Sequence, residues 1–344
     1  MRPAPISISG RRAVRLAVFL LAALSGRSAF GEPPASAEKP SVLIVVGAAG
    51  EEEFGKRFSQ WAKLWQQAAE RGGVKVVTIG LEKTKDSTDR ERLRQALADE
   101  PKEGPGELWL VLIGHGTFDG KEAKFNLTGP DLTATELAEG LKPFHRPLAV
   151  IDTAAASGPF LSKLSASNRV IITATRSGHE QNYARFGQYL SEAIVDPAAD
   201  LDKDGQTSLL EAFLTAARRT AEFYQVEGRL ATEHALIDDN GDGFGTPADW
   251  FRGVRAVKRA RDGAAVDGVR AHQFHLVRSD AEKELPPAVR VRRDELELEI
   301  AGLREKKSQL NEEDYYNRLE VLLLEMAKLY ERTNDVQKAA PPAQ

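Results

Sequence analysis

Between residues 41 and 194, short and wholly apolar runs alternate with amphipathic segments, and that alternation leaves few ways for the chain to fold. Ser41–Val46 (SVLIVV), Val74–Ile79, Leu108–Ile113 (LWLVLI), Leu148–Ile151 (LAVI) and Val170–Thr173 have the length and unbroken hydrophobicity of strands buried on both faces. Between them Phe54, Phe58, Trp61, Trp65 and Ala68 recur at spacings of 4, 3, 4 and 3, which marks one face of a helix. Asp89–Leu97, Thr133–Leu141 and Arg185–Ile194 read as further helices. Strands joined through helices require right-handed crossovers, so the pattern predicts an α/β fold, a mostly parallel sheet with helices on both faces. Chemistry in such sheets is expected at the carboxyl ends of the strands.

The N-terminus reads as a segment to be removed. Arg11, Arg12 and Arg15 form a basic region, and the apolar stretch Ala13–Leu24 is too short to span a bilayer. Ala29 and Gly31 are small residues at −3 and −1 of a cleavage site after Gly31, with Ala37 as the second choice. Residues 1–31 are therefore expected to be a signal peptide, and the Pro- and Ala-rich 32–40 a disordered leader. A periplasmic or secreted protein follows, with no membrane span after signal removal. Losing the five arginines of this segment takes a net charge of −4 to about −9, which argues against nucleic acid as a partner. An exported chain commonly carries disulfides, but this one has no cysteine.

Two strand ends carry the first chemical signal. LWLVLI runs into Gly114-His115-Gly116, and LAVI runs into Asp152-Thr153-Ala154-Ala155-Ala156-Ser157-Gly158. A His-Gly after one apolar strand and a small-residue turn ending in Ser-Gly after the next resemble the caspase, metacaspase and legumain superfamily of cysteine peptidases, across about residues 40–250. Ile172–Glu180 (ITATRSGHE) is similar to that family's next strand and substrate-side loop. The resemblance implies that His115 and Gly116 take the His-Gly positions and that Ser157 and Gly158 take the Ser-Gly. It also puts Thr153 where an acidic residue is usual and Ala155 where the nucleophilic cysteine should stand.

Alanine has no ionisable atom, and losing the nucleophile of such a site costs about five to six orders of magnitude in rate. Of the neighbouring hydroxyls, Thr153 and Ser157, neither occupies the nucleophile position, and an offset of two residues in a tight turn aims a side chain elsewhere. The sequence thus points to an inactive peptidase homologue acting by binding a protein or peptide partner. The alternative is a hydrolase using Ser157 with His115.

Two acidic loops carry a second, calcium-type chemistry. Asp200, Asp202, Asp204, Gln206, Ser208 and Glu211 stand at the ligand positions of an EF-hand loop over 200–211, with Gly205 at the turn. Asp238, Asn240, Asp242, Phe244, Thr246 and Asp249 match the same template over 238–249, with Asp replacing Glu at its last position. Gln206 and Phe244 would each contribute a backbone carbonyl. Leu210, Leu214, Ala217, Ala221 and Tyr224 predict a helix leaving the first loop. The arginines and lysines Arg252, Arg255, Lys258, Arg259 and Arg261 read as a solvated basic helix face.

The α/β domain should thus span 41–285 and be followed by a C-terminal helical segment. Leu296, Ile300, Leu303, Lys307 and Leu310 keep a helical spacing, and Tyr315, Leu319, Leu322, Met326 and Leu329 start it again after a phase break at 311–314. Asn311 is placed to cap a fresh helix there. Residues 291–333 accordingly read as a helical hairpin or broken coiled coil, before a disordered tail at 334–344. A third functional reading makes this segment an assembly device.

Overall fold

The computed structural model describes residues 39–82 and 86–339, with side chains as far as Glu331. The expected signal peptide lies outside the described residues, as do most of the leader and the last residues of the tail.

Strands β1 (Ser41–Val46), β2 (Lys75–Ile79) and β3 (Leu108–Ile113) form where the apolar runs place them. Gly116–Phe118, Ala123–Phe125 and Leu132–Thr133 (β4–β6) make a small antiparallel sheet of their own. They precede β7 (Leu148–Asp152), β8 (Arg169–Thr173), β9 (Leu236–Asp238) and β10 (Thr246–Pro247). The main sheet has seven strands in the order β10-β9-β8-β7-β3-β1-β2. Its five central and distal strands, β8, β7, β3, β1 and β2, pair in parallel, while β9 is antiparallel to both its neighbours.

Alternate residues of each strand face opposite layers, so a run apolar at every position fits only a sheet covered on both sides. On one face Ile44, Val111, Ile151 and Ile172 pack against Phe58, Trp61 and Trp65 of α1 (Glu52–Arg71), with Phe186 and Leu190 of α5 (Phe186–Ala193) and Phe213 of α6 (Leu209–Val226). On the other, Leu43, Leu110, Val150 and Ile171 pack against α2 (Asp89–Asp99), α3 (Ala134–Leu141) and α4 (Gly158–Leu164) through Leu93, Leu137 and Phe160. Burying side chains of this size contributes roughly 1.5–3 kcal/mol each before entropy is counted. Trp65 is fully buried, and its indole N–H also donates to the Ser191 hydroxyl at 3.1 Å, so no polar atom of this side chain goes unmet in the core.

The basic residues at 252–261 are not on a helix. Phe251–Arg252 and Arg255–Ala256 (β11 and β12) form a two-residue hairpin, and Gly253 in its turn has φ +58°, a conformation that breaks a helix. Lys258 lies over the Trp250 ring, Arg261 over Phe244, and Arg259 faces Glu305 at 3.5 Å.

After the short α7 (Asp280–Glu284), α8 (Pro287–Glu305) and α9 (Glu312–Ala339) pack against each other. The chain reverses between them, as the phase break requires, and Arg292 near the start of α8 meets Glu325 of α9 at 2.8 Å. Asn311 caps α9 by accepting the Asp314 N–H at 2.8 Å. The backbone of α9 continues through Ala339 instead of stopping at 333, because nothing before Pro341 interrupts a helix. Among the described residues no helix is long and apolar enough to cross a membrane.

Candidate functional site

Parallel pairing of β3 with β7 sets Leu112 opposite Asp152, so the segments carrying His115 and Ala155 leave neighbouring strands at the same end of the sheet. A glycine contact fixes the approach. A Cβ at Gly116 would stand 2.2 Å from the Ala155 carbonyl oxygen, so only glycine lets the two strand ends close up. Gly158 serves the next junction, since a Cβ there would lie 2.4 Å from the Ser177 backbone nitrogen. Between them Ala156 takes φ +55°, costly for a residue with a Cβ, and its N–H is held by the Glu180 carbonyl at 2.8 Å. His115, Gly116, Ala155, Ser157 and Gly158 are thus brought to one end of the sheet, where parallel strands present their chemistry.

Each of these side chains has identifiable partners. His115 Nε2 donates to the Ala49 carbonyl at 3.2 Å, with Phe54 and Phe58 packed edge-on against the ring at 4.8 and 5.0 Å. Burial among these rings lowers the imidazole pKa, against the opposing influence of the Ala49 carbonyl and Glu51. Ala155 is buried and carries only a methyl. The Thr153 hydroxyl donates to the Leu112 carbonyl at 2.8 Å, and Ser157 Oγ lies 3.2 Å from Thr175 Oγ1 while accepting the Thr175 N–H at 3.2 Å. Both hydroxyls are buried and engaged, and neither is hydrogen-bonded to His115.

One residue of this turn was not anticipated. Asp152, the last residue of β7, is fully buried and its carboxyl pKa is raised to about 7 by desolvation. Oδ1 accepts the Ala154 N–H at 3.0 Å, and Oδ2 has no partner among the described residues. A second carboxylate, Glu233, reaches the loop before α5 and accepts the N–H groups of Arg185 and Phe186, with the Tyr224 hydroxyl at 2.9 Å. Glu180 holds His234 Nδ1 at 2.6 Å and the Arg176 N–H at 3.0 Å. Glu180 thus ties the segment 172–180 to His234, and Glu233 fastens the start of α5.

Both acidic loops fold as tight carboxylate-lined turns, and with the same internal bonds. In the first, Asp200 accepts the N–H groups of Lys203 at 2.6 Å and Gly205 at 3.1 Å, Asp202 that of Asp204, and Asp204 that of Gln206. In the second, Asp238 accepts from Gly241 at 2.9 Å and Gly243 at 3.1 Å, Asn240 from Asp242, and Asp242 from Phe244. Lys203 and Gly241, at equivalent positions, both have positive φ, as do Gly205 and Gly243.

Glu211 lies buried beneath the first loop. Its Oε1 accepts the Leu201 and Asp202 N–H groups at 2.7 and 3.1 Å, while Oε2 accepts the N–H and hydroxyl of Ser208. Ser208 thereby serves as the cap of α6. The Gln206 side chain bonds Asp204 and the Ser279 N–H. An unforeseen imidazole, His272, sits with Nε2 at 3.1 Å from Asp202, and Asp202, Glu211 and His272 offer atoms close enough to share one cation. Burial and the neighbouring Glu211 and Asp204 raise the Asp202 pKa. In the second loop Thr246 is buried, Phe244 is exposed, and Asp249 lies exposed in a short 3-10 turn at Ala248–Trp250.

Comparison with solved structures finds the following similar chains. Caspase-1 from Spodoptera frugiperda is similar at 10% identity and a TM-score of 0.38, over 59% of this chain and 87% of that one. The Drosophila initiator caspase Dronc is similar at 12% identity and a TM-score of 0.40, over 69% and 93%. Chaetomium thermophilum Raptor is similar at 9% identity and a TM-score of 0.30, over 49% of this chain and 18% of that one. No family model matches the sequence, and no curated protein does.

Proposed function

We propose that the chain is an exported, catalytically silent homologue of caspase- and legumain-type peptidases that binds calcium at its two acidic loops and acts by binding a protein or peptide. One observation carries the silent reading. The turn that the sequence likens to a nucleophile turn is present and close-packed, yet it holds a methyl group at Ala155 while both nearby hydroxyls are committed to buried hydrogen bonds. A nucleophile needs an exposed, activated atom with a base in reach, and this turn offers none. Calcium is supported by Asp200, Asp202 and Asp204 of the first loop, whose carboxylates lie close enough to share one ion, and by the matching internal bonds of the second loop.

A fluorophosphonate probe reacts only with an activated hydroxyl, and the purified protein is expected to stay unlabelled at neutral pH. Labelling that disappears in Ser157→Ala and persists in Thr153→Ala would establish the hydrolase alternative instead.

Assembly through the C-terminal helices has one observation in its favour. Tyr316, Val321, Leu323 and Leu324 of α9 are exposed large hydrophobics outside the Tyr315–Leu329 seam. Sedimentation of the intact protein tests this reading. A dimer that becomes monomeric in the Leu323→Glu/Leu324→Glu variant would support assembly, and a wild-type monomer would remove it.

A further inference from the structure

The first acidic loop has a neighbour that an oxygen-only site does not explain. His272 Nε2 stands 3.1 Å from Asp202 Oδ2, and a Glu211 oxygen lies close enough to both for the three to share one ion. Two ligands held at about 2.1 Å on a tetrahedral ion stand about 3.4 Å apart, so the Asp202–His272 spacing is already near that of a metal-bound pair. His272 comes from a segment remote in sequence, yet its backbone is fastened to the loop. The Phe274 carbonyl accepts the Leu209 N–H at 2.8 Å at the start of α6, and the His272 N–H donates to the Gly268 carbonyl at 3.0 Å. Among the described residues Asp202 forms an ion pair only with His272, and Glu211 forms none with any lysine or arginine.

We propose that Asp202, Glu211 and His272, with His275 as a second imidazole donor, form a site for a divalent ion of the zinc type. This goes beyond the calcium reading, because calcium takes oxygen ligands whereas an imidazole nitrogen suits zinc, copper or nickel. His275 supplies an observation independent of the acidic cluster. Its ring is buried, Nδ1 donates to the Gln273 carbonyl at 3.2 Å, and Nε2 has no hydrogen-bond partner among the described residues. With the proton on Nδ1, Nε2 is a bare lone pair shut off from water, which costs free energy until something fills it. A metal-ligating histidine characteristically donates its other ring N–H to a backbone carbonyl, as His275 does. The ring lies 6.4 Å from that of His272, and after burial the strongest influences on it are the charges of Asp204 and His272.

Glu211 meets the corresponding description for a carboxylate. Its bonds from the Leu201 and Asp202 N–H groups at 2.7 and 3.1 Å, and from Ser208, hold both oxygens in place, as outer bonds orient a ligating carboxylate. Asp202 and Glu211 also serve the calcium reading of this loop, so the two kinds of ion draw on shared ligands. The imidazoles separate them. Removing one takes a ligand from zinc and none from calcium.

Zinc titration calorimetry on the full mature chain tests the site, with cobalt(II) absorption as a spectroscopic readout and folding of each variant checked by circular dichroism. Wild type is expected to bind one zinc ion. His272→Asn should lose about a hundredfold in zinc affinity, the upper end of what loss of even an outer partner costs, and leave calcium binding as in wild type. The visible bands of the cobalt-loaded wild type should fade in the same variant. His275→Asn should weaken zinc likewise, and the partly exposed His272 decides the matter even if that buried variant does not fold. A wild type that binds no zinc, or a His272→Asn variant that binds it as tightly, the mark of adventitious binding by another histidine, would overturn the proposal. Loss of calcium together with zinc in His272→Asn would overturn it too, since the imidazole would then be a prop for the loop and not a ligand. Zinc bound by a wild type that ignores calcium would support this site and remove only the calcium reading.

Discussion

Stripping calcium from the mature protein with a chelator is expected to lower its melting temperature by about 5–10 °C, and restoring millimolar calcium to reverse the loss. The carboxylates of 200–211 stand close together, and desolvation with the neighbouring Glu211 and Asp204 already raises the Asp202 pKa. A cation that binds only the folded loops removes that repulsion and stabilises by mass action, about 2.7 kcal/mol per site at a hundredfold excess over the dissociation constant. At roughly 2–4 °C per kcal/mol for a domain of this order, one well-filled site gives the lower shift and more follows from the second. Asp202→Ala with Asp204→Ala should remove most of the sensitivity, and Asp242→Ala the remainder. Magnesium should substitute poorly, because it gives up water reluctantly for a cage of this size. Melting curves unmoved by chelator and by calcium would reduce both loops to acidic turns.

Stability at fixed calcium is also expected to fall as pH rises from about 4 to about 7, with Asp152 the cause. Its carboxyl is fully buried, held to about 7 in the folded protein by desolvation and free to ionise near 3.8 once unfolded. The folded pKa is the higher, so the favourable contribution is complete below the unfolded value and is lost as pH passes through the folded one. The full difference amounts to roughly 4 kcal/mol at the upper limit, at 1.36 kcal/mol per pKa unit. Asp152→Asn mimics the protonated form, so it should match wild type near pH 4 and exceed it near pH 8. Denaturant unfolding at the two pH values reads the effect directly, and a variant with the same pH dependence as wild type would refute it.

The parts of the fold legible in the sequence were those written in local periodicity. Five apolar runs became the five parallel strands, because a segment apolar at every position can only lie between two layers. The break at 311–314 became the turn between α8 and α9 because Asn311 caps there. What the runs could not reveal were β4–β6 and the antiparallel edge β9–β10, whose strands of two or three residues have no periodicity to read. The basic residues at 252–261 looked helical only while the positive φ of Gly253 was unknown.

Site residues divide in the same way. His115 and Ala155 could be found because each lies within three residues of the end of a readable apolar strand. Thr175 as the partner of Ser157, Glu180 as the anchor of Ala156, and His272 beside Asp202 come from segments distant in sequence, so no spacing announces them. Asp267 is a further case, reaching the 238–249 loop from outside it to accept the Asp239 and Asn240 N–H groups and the Thr246 hydroxyl.

The most direct measurement is hydrolysis of a broad peptide library by the purified mature protein, with calcium and with chelator. No cleavage above an enzyme-free control is expected in either condition, and thiol-alkylating reagents should change nothing in a chain without cysteine. Turnover that vanishes in Ser157→Ala or His115→Ala would contradict the reading of a peptidase scaffold that has lost its nucleophile.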